Sequence, residues 1–346
     1  MIAKILLAIV FFISCSLVFC PLPSDKNKKI FNLVCAVLIL IVTFRPSEMA
    51  DYSDYEYSFS DDAIDLRFEP FFYVIKFICS ISFAPAITGF FLFALLSILI
   101  KAKIMWKGSW MGWASLSVYI SHVLITQEMV AIRAAAASAF LLLAIDMKSK
   151  GNVKKTLLAL IAAIMFHYSA VFFLILLLVD NYHARRKIYI CFMAVSYILY
   201  YLGLFITVIF FSKIESLIGS NILFAMYGNQ LEASDASMNA FNILQIIRLL
   251  ICTILWLNYK KFYMMDAAAI LNLKLYTIGL CFLPLFGNTI GIASRLQDLF
   301  QVIEITLFPI GFTIAFKPQF ASKCLLILYS FIMFCIFISA EDYWGF

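Results

Sequence analysis

The sequence predicts an all-α polytopic integral membrane protein with about 10–12 transmembrane helices. Of its 346 residues, 64% are apolar and 13% are charged, and the mean hydropathy is +1.00. Soluble domains average roughly half apolar and about a quarter charged residues. Long apolar runs also follow one another along the whole chain. These features exclude a soluble enzyme, a secreted disulfide scaffold, a disordered chain and a membrane β-barrel, whose strands would alternate in polarity.

The apolar runs define the predicted elements in chain order. They lie at 4–20, 30–44, 70–100, 109–126, 128–147, 156–179, 188–211, 241–258, 268–287, 296–316 and 322–340. We interpret the first run as a span and not as a signal peptide, because its charges follow it and it lacks a small-residue cleavage site. The run 70–100 is too long for one straight span, and Ala84-Pro85 interrupts it. We therefore expect a kink or a short first helix there.

The loops between the runs predict the orientation of the chain. Six of them are rich in lysine and arginine, which is typical of the cytoplasmic side and does not indicate nucleic-acid binding. They lie at 21–29, 101–107, 148–155, 181–187, 259–267 and 317–323. This assignment places both termini outside, and it treats Lys101 as part of a cytoplasmic loop.

The run 156–179 has basic loops on both sides, so it is expected to enter the membrane and return. Its length allows two helical arms of roughly 17 Å each, which is too short for two full spans. A broken or re-entrant hairpin is therefore predicted, with its tip near His167-Tyr168-Ser169. Such backbone is tolerated at membrane depth where it is buried in protein or lines a wet cavity.

The whole chain, 1–346, is predicted to form a single transmembrane domain with two outer loops. The loop 45–69 is strongly acidic, and the loop 212–240 is partly apolar. The acids of the first loop suit a general base, a sugar contact, a metal ligand or a solvated surface. We predict no cofactor and no metal site, because the cysteines lie in apolar stretches without a CxxC pair and no acid–histidine cluster stands out.

Ionisable residues inside apolar runs are functional-site hypotheses, because burying charge in a membrane is costly. Near the predicted outer ends of spans lie Gln127, Glu128, Arg133, Arg248, Arg295, Asp298 and Glu304. Arginine binds phosphate and diphosphate groups in a bidentate manner, so Arg133 and Arg295 are candidates for that role. The alternative is that each arginine snorkels to the membrane interface or forms a local ion pair, of Arg133 with Glu128 or of Arg295 with Asp298. We expect Arg248 to be structural.

The three histidines differ in their expected roles. His167 lies at the hairpin tip, and its ordinary pKa suits a proton acceptor. The alternative for His167 is a satisfied packing residue, and this is also our expectation for His122. We expect His183 to be a residue of a cytoplasmic loop without a functional role. Tyr55 and its neighbours in the acidic loop present flat amphipathic rings, which suit either stacking on sugars or an interfacial belt.

An ordered set of short motifs resembles one family. The motifs are Phe44-Arg45-Pro46, Asp51-Tyr52-Ser53-Asp54-Tyr55, Glu69-Pro70-Phe71-Phe72, Gln127 with Ile132-Arg133-Ala134, Phe166-His167-Tyr168-Ser169-Ala170, and Ser294-Arg295 with Phe300. In this order, over about residues 30–305, they resemble the EpsG/Wzy group of bacterial polysaccharide polymerases, which includes O-antigen polymerases.

The resemblance implies a membrane glycosyltransferase in the bacterial inner membrane, with its active site facing the periplasm. A glycan on undecaprenyl diphosphate would be transferred to a lipid-linked repeat unit. The implied partners are this lipid-linked oligosaccharide, the bilayer and a chain-length regulator, with no nucleic acid. The implied site residues are His167, Glu69 and Asp54 for base catalysis, Arg133, Arg295 and Arg45 for diphosphate binding, and Asp51, Tyr55 and Gln127 for sugar binding.

Three other functions fit parts of this pattern. An O-antigen ligase-like transferase would share the arginine and histidine chemistry, but such ligases usually have a larger outer loop late in the chain. A lipid-linked oligosaccharide flippase would place charges along a central pathway and show two-fold pseudo-symmetry, which the hydropathy pattern lacks. A membrane O-acyltransferase would show a different histidine context.

Overall fold

The computed structural model describes residues 2–61, 68–106, 108–204, 239–265 and 267–344. Within these ranges all regular structure is helical, which confirms the all-α class. The α-helices are α1 (Ile2–Phe19), α2 (Ser24–Thr43), α3 (Tyr52–Ser60), α4 (Pro70–Ser80), α5 (Pro85–Met105), α6 (Ser109–Val118), α7 (Ile132–Ser149), α8 (Val153–Phe166), α9 (Ile175–Leu178), α10 (Arg186–Tyr201), α11 (Ile243–Leu257), α12 (Tyr259–Met265), α13 (Ala267–Leu285), α14 (Ile290–Gln301), α15 (Glu304–Ala315), α16 (Gln319–Ser339) and α17 (Glu341–Trp344). A π-helix (Tyr119–Glu128) and a 3₁₀-helix (Tyr168–Leu174) complete the described elements.

Several helices are long and apolar enough to cross a membrane. Among the described residues, four helices meet this criterion alone, at Ile2–Phe19, Pro85–Met105, Ala268–Leu285 and Gln319–Ser339. The pair Gly291–Gln301 and Glu304–Ala315 meets it together, as a broken span or a re-entrant loop. The protein is therefore an all-α, multi-pass membrane protein, as the composition predicts.

The expected break in the long run 70–100 is confirmed. Helix α4 ends at Ser80, and α5 begins at Pro85 with Ala84 as its N-cap. Proline is favoured at the first helical position, where its missing N–H has no intrahelical partner to lose. Helix α4 begins in the same way at Pro70, so Glu69 stands immediately before a helix start.

The chain also breaks at the predicted tip of the segment 156–179. Helix α8 ends at Phe166, and His167 adopts an extended backbone with φ −157° and ψ 117°. The two arms differ from the equal helices that we expected. The first is a 14-residue α-helix, whereas the second combines the 3₁₀-helix with the four-residue α9.

The π-helix is a feature that the sequence did not predict. It continues α6 over ten buried residues, and its i→i+5 bonding extends to the bond from Met129 N to Leu124 O (3.0 Å). After it, residues 129–131 form a turn and α7 begins at Ile132. Long π-helical segments are rare in proteins, and shorter ones are frequently found at functional sites.

The described residues form two compact units. Unit 1 comprises the described parts of Met1–Ala63, Glu69–Phe173 and Val302–Phe346, and unit 2 those of Ile64–Phe68 and Leu174–Gln301. In unit 1, α7 packs between α5 and α8, and α4 packs on both α5 and α8. In unit 2, α13 packs on α10, α11 and α14.

The structure bears on three predicted loop assignments. The acidic loop 45–69 contains a helix, α3, and its residues 62–67 lie outside the described part. Of the second outer loop, 212–240, all but the last two residues lie outside it as well. The expectation that Lys101 belongs to a cytoplasmic loop is wrong. Helix α5 continues to Met105, and Lys101 is fully buried within it.

Candidate active site

A buried carboxylate joins three distant parts of unit 1. Glu69 is 1% exposed, and its Oε1 accepts a hydrogen bond from the backbone N of Tyr168 (3.0 Å) and contacts His167 Nδ1 (3.0 Å). Its Oε2 accepts from Arg133 Nη1 (2.5 Å). We call Glu69, Arg133, His167 and Tyr55 the Glu69 cluster. All four are site residues that the resemblance implies, and the structure brings them together.

Aromatic packing holds the carboxylate and the imidazole in register. Phe71 follows Glu69 by two residues, and Phe166 directly precedes His167. Their ring centroids lie 4.9 Å apart in an edge-to-face arrangement, which is a favoured geometry for aromatic pairs. Phe166 also contacts Phe93 of α5 and Phe140 of α7. The packing of α4 on α8 therefore brings Glu69 and His167 within bonding distance.

Arg133 is the most accessible charged member of the Glu69 cluster. It is the second residue of α7, and 20% of its side chain is exposed, compared with 2% for Glu69. Arg133 Nε also donates a long hydrogen bond to Tyr55 Oη (3.4 Å). A ligand that reaches this cluster can therefore meet the guanidinium while the carboxylate stays enclosed.

Tyr55 reaches the cluster because α3 lies very close to α5. A Cβ atom built on Gly89 of α5 would lie 2.6 Å from the ring of Phe59, which is closer than real Cβ contacts allow. Glycine therefore permits the approach. Phe59 and Tyr55 lie one turn apart on α3, and both are buried.

The electrostatics of the cluster assign different roles to its acid and its base. Burial raises the pKa of Glu69, but the hydrogen bond with His167 and the charge of Arg133 outweigh it and bring the pKa down from 4.5 to about 2. Glu69 is therefore ionised at neutral pH and is a poor proton acceptor. Because an ionised carboxylate only accepts hydrogen bonds, His167 Nδ1 must carry the proton in this contact. The other ring nitrogen, Nε2, is then the basic one.

Two predicted residues of the acidic loop lie at or beside the start of α3. Asp51 precedes the helix in a left-handed conformation with φ 61°, and its side chain is exposed. Aspartate is among the few residues that tolerate this backbone region. Asp54 lies in the first turn of α3 and is also exposed. The sugar-binding role of Asp51 and the base role of Asp54 stay predictions.

Arg45 is enclosed by main-chain acceptors and an aromatic ring. Its Nη1 donates to Met129 O (2.7 Å), its Nε donates to Val42 O (3.1 Å), and its Cζ lies 4.2 Å from the Phe90 ring centroid. Burial lowers its pKa to about 10, so it stays charged at neutral pH. Nη2 has no hydrogen-bond partner within the described residues. The diphosphate role of Arg45 stays a prediction.

A second polar cluster surrounds Lys101 in unit 1. Lys101 Nζ lies 2.5 Å from Glu128 Oε1 and donates to Gln127 Oε1 (3.2 Å). We call this group the Lys101 cluster, and its members are Ser97, Lys101, Tyr119, Gln127, Glu128 and Ser138. All six are at most 1% exposed. The structure thus places Gln127, a predicted sugar-binding residue, inside an enclosed ionic network.

This cluster also changes the expected pairing of charges. The alternative partner that the sequence suggested for Arg133 was Glu128. In the structure Arg133 pairs with Glu69, and Glu128 pairs with Lys101. Sequence reasoning missed Lys101 because it lies near the end of an apolar run. Its spacing of four residues from Ser97, on one helical face, was the available signal.

His122 is a buried residue that contacts a buried carboxylate. Its Nε2 lies 3.2 Å from Glu304 Oε2, and both side chains are fully buried. Tyr329 Oη donates to the same carboxylate oxygen at 2.7 Å. A buried histidine with a polar partner is compatible with the structural role expected of His122. Nothing in the local sequence connects positions 122, 304 and 329.

The remaining predicted arginines belong to unit 2. Arg295 lies on α14 with an exposed side chain. Arg248 lies on α11, is buried, and donates from Nη2 to Gln301 Oε1 at 3.2 Å. This bond agrees with the structural role expected of Arg248. The diphosphate role of Arg295 stays a prediction.

Comparison with known proteins gives one match. The model of the EpsG family matches residues 28–345, which is nearly the whole chain. No curated protein and no solved structure matches the chain.

Proposed function

The chain belongs to the EpsG family, which includes Wzy-like polymerases, and from this premise we propose that it polymerises a surface polysaccharide of the O-antigen type. In this proposal a growing glycan is transferred from undecaprenyl diphosphate to a lipid-linked repeat unit. The reaction takes place at the periplasmic face of the inner membrane. The observation that carries the proposal is the Glu69 cluster, in which a partly exposed arginine stands beside a histidine that a carboxylate orients.

The proposed chemistry needs one proton acceptor and one stabiliser of negative charge. A hydroxyl oxygen of the acceptor sugar attacks the anomeric carbon of the donor and forms the new glycosidic bond. The bond between that carbon and the diphosphate oxygen breaks, and its electron pair leaves with undecaprenyl diphosphate. The hydroxyl proton passes to a base. Diphosphate is a good leaving group, so stabilising its charge matters more than protonating it.

His167 is the proposed base, acting through Nε2. Glu69 holds the Nδ1–H, which fixes the tautomer and stabilises the imidazolium that forms when Nε2 takes a proton. The low pKa of Glu69 supports this division of roles, because a carboxylate that stays ionised keeps its hold on the ring. Glu69 is therefore less suitable than His167 as the base.

Arg133 is the proposed diphosphate ligand. Its guanidinium offers a planar fork of donors, of which Nη1 donates to Glu69 Oε2. A diphosphate would compete with Glu69 for this arginine. Arg295, which is exposed on α14, is a further candidate for diphosphate binding. The candidates for sugar contact are Tyr55, whose hydroxyl contacts Arg133, and Asp51, which directly precedes α3.

The test is a deletion of the gene in its native host, followed by complementation and gel analysis of the surface polysaccharide. We expect the deletion to collapse the polysaccharide ladder to a single repeat unit on the lipid core. Wild type should restore the ladder, whereas Arg133→Gln and His167→Gln should not. Loss of a charge-stabilising donor typically costs about 10²–10³ in rate, which is enough to remove the ladder.

The matched control is His183→Gln, an exposed histidine whose partner is Asp180. It should restore the ladder fully, and immunoblots should show equal amounts of all variants in the membrane. Complete loss of surface glycan in the deletion strain would instead indicate a flippase or a ligase. An unchanged ladder would refute a role in polysaccharide assembly.

A further inference from the structure

The Lys101 cluster ties three helical segments of unit 1 together. Ser97 and Lys101 come from one face of α5, and Gln127 and Glu128 from the end of the π-helix. Ser138 comes from α7. Glu128 Oε1 lies within hydrogen-bond distance of Ser97 Oγ (3.0 Å) as well as Lys101 Nζ. A change in the position of one segment is therefore opposed by the other two.

The cluster reaches the first turn of α7, which carries Arg133. Ser97 Oγ lies 2.9 Å from the carbonyl oxygen of Ala135, and Ser138 Oγ lies 2.9 Å from the same oxygen. Ser138 Oγ also contacts Gln127 Oε1 at 2.6 Å. Ala135 is two residues after Arg133. The two serines are thus the polar connection between the ion pair and the turn from which the guanidinium projects.

The backbone that leads into the first turn of α7 is also held by hydrogen bonds. Arg45 Nη1 donates to the carbonyl of Met129, the first residue after the π-helix. Ala131 N then bonds back to Thr126 O at 3.2 Å. The backbone on both sides of Arg133 is therefore fixed by polar contacts, at 129 and 131 before it and at 135 after it.

Stability alone does not account for the ion pair. Removing two charges from water is expensive, and well-packed apolar residues often replace a buried pair without loss of stability. The best-attested use of such a pair is to select one arrangement of the surrounding helices. Here the arrangement that it selects is the register of α7 against α5 and the π-helix.

We propose that the Lys101 cluster positions Arg133 for diphosphate binding, with Ser97 and Ser138 as the residues that transmit its geometry to α7. This inference rests on the proposed function, because it takes Arg133 as the diphosphate ligand. Ser97 and Ser138 are positioning residues, since both are fully buried and neither belongs to the Glu69 cluster.

The test is a calorimetric titration of the purified full-length chain, in detergent micelles, with inorganic pyrophosphate. The variant S97A/S138A removes both hydroxyls and leaves Lys101 and Glu128 in place. We expect its affinity for pyrophosphate to fall about fivefold to tenfold, within the range of coupling seen between residues that share a network. In the background of Arg133→Gln, the same pair of substitutions should change the residual affinity by less than about twofold, because coupled residues do not add.

The matched control is S14A/S330A. Both of these serines are fully buried in unit 1, and each donates within its own helix, to Val10 O and Leu326 O. The control should bind pyrophosphate as wild type does. An equal loss of affinity in the control would show a general effect of removing buried hydroxyls and would overturn the inference.

Two further outcomes separate the two proposals. If wild type binds pyrophosphate and Arg133→Gln abolishes binding, but S97A/S138A binds like wild type, the positioning role is refuted and the proposed function stands. If wild type does not bind, or if Arg133→Gln binds equally well, the diphosphate role of Arg133 fails and the positioning role falls with it.

Discussion

The Glu69 cluster and the Lys101 cluster are built from the same kinds of group but differ in their access to solvent. Each joins a cation to a glutamate across distant segments of unit 1, at an N–O distance of 2.5 Å. The lysine is fully enclosed, whereas 20% of the arginine side chain is exposed. Oε1 of Glu128 also accepts hydrogen bonds from a tyrosine and a serine, whereas the carboxylate of Glu69 contacts a histidine.

This difference separates a structural ion pair from one that can exchange its partner. An enclosed cation cannot meet a ligand without local unfolding, so its counter-ion is permanent. A partly exposed arginine can pass from a carboxylate to a phosphate oxygen without leaving its helix. Complete burial of an ionisable residue in a membrane protein is therefore a weaker sign of catalysis than partial burial that leaves the charged group accessible to a ligand.

The largest effect should come from breaking the enclosed pair. Lys101→Met leaves Glu128 as an uncompensated charge in a dry interior, and such losses cost about 3–5 kcal/mol. We expect a large fall in the apparent Tm of the purified protein in detergent and in its yield. Arg133→Gln should lower the Tm far less, because Glu69 keeps its bonds to His167 and to the backbone of Tyr168.

The control for this prediction is the neutral double variant K101M/E128Q. It removes both charges, and the glutamine can still accept from the hydroxyls of Tyr119 and Ser97. We expect most of the lost Tm to return. A single Lys101→Met variant as stable as wild type would mean that this pair does not behave as an ion pair, and the contrast between the two clusters would disappear.

The second prediction concerns the pH dependence of the Glu69 cluster. The pKa of Glu69 is lowered from 4.5 to about 2 in the folded state, so its stabilising contribution is complete above about pH 4.5 and is lost as the pH falls towards 2. A shift of this size corresponds to about 3 kcal/mol. We expect Glu69→Gln to flatten the fall of the Tm between pH 5 and pH 2.5.

Glu56→Gln provides the comparison, because Glu56 lies exposed on α3. The pH dependence of its Tm should follow that of wild type. If Glu69→Gln also followed wild type, the carboxylate would not be held by its contacts with Arg133 and His167 in the way the structure indicates.

The smallest effect should come from the edge of the Glu69 cluster. The hydrogen bond from Arg133 Nε to Tyr55 Oη is long at 3.4 Å, so Tyr55→Phe should cost about 1 kcal/mol or less. In a polymerisation assay with varied lipid-linked substrate, we expect a rise of a few fold in KM with little change in kcat. Tyr57→Phe, on the same helix but 70% exposed, should change neither. A large fall in kcat for Tyr55→Phe would instead assign that hydroxyl to the chemistry.

The sequence predicted those features of the fold that have a local cause. The break before Pro85 follows from proline chemistry, and the break at His167 was inferred from the charges of the flanking loops. The all-α class follows from composition alone. The π-helix was not predictable, because residues 119–128 have no proline, glycine or charge pattern that distinguishes them from an ordinary apolar helix.

The sequence predicted which residues form the candidate site but not which of them contact one another. Glu69, Arg133, His167 and Tyr55 stood among the residues that the family resemblance implies. Their pairing depends on the packing of α4 on α8, and the partners lie 64 and 98 residues apart in the chain. Sequence separation favoured Glu128 as the partner of Arg133, because only nearby pairs can be proposed without a fold. Lys101 was misassigned for a related reason, since the end of a helix within an apolar run leaves little trace in the sequence.

The close approach at Gly89 has a consequence for the genetics of this protein. The position carries no functional group and lies on a different helix from every member of the Glu69 cluster. Any larger residue would nevertheless have to displace the ring of Phe59, which lies one turn from Tyr55 on the same helix. Loss-of-function alleles should therefore arise at a codon that a search for catalytic residues would pass over.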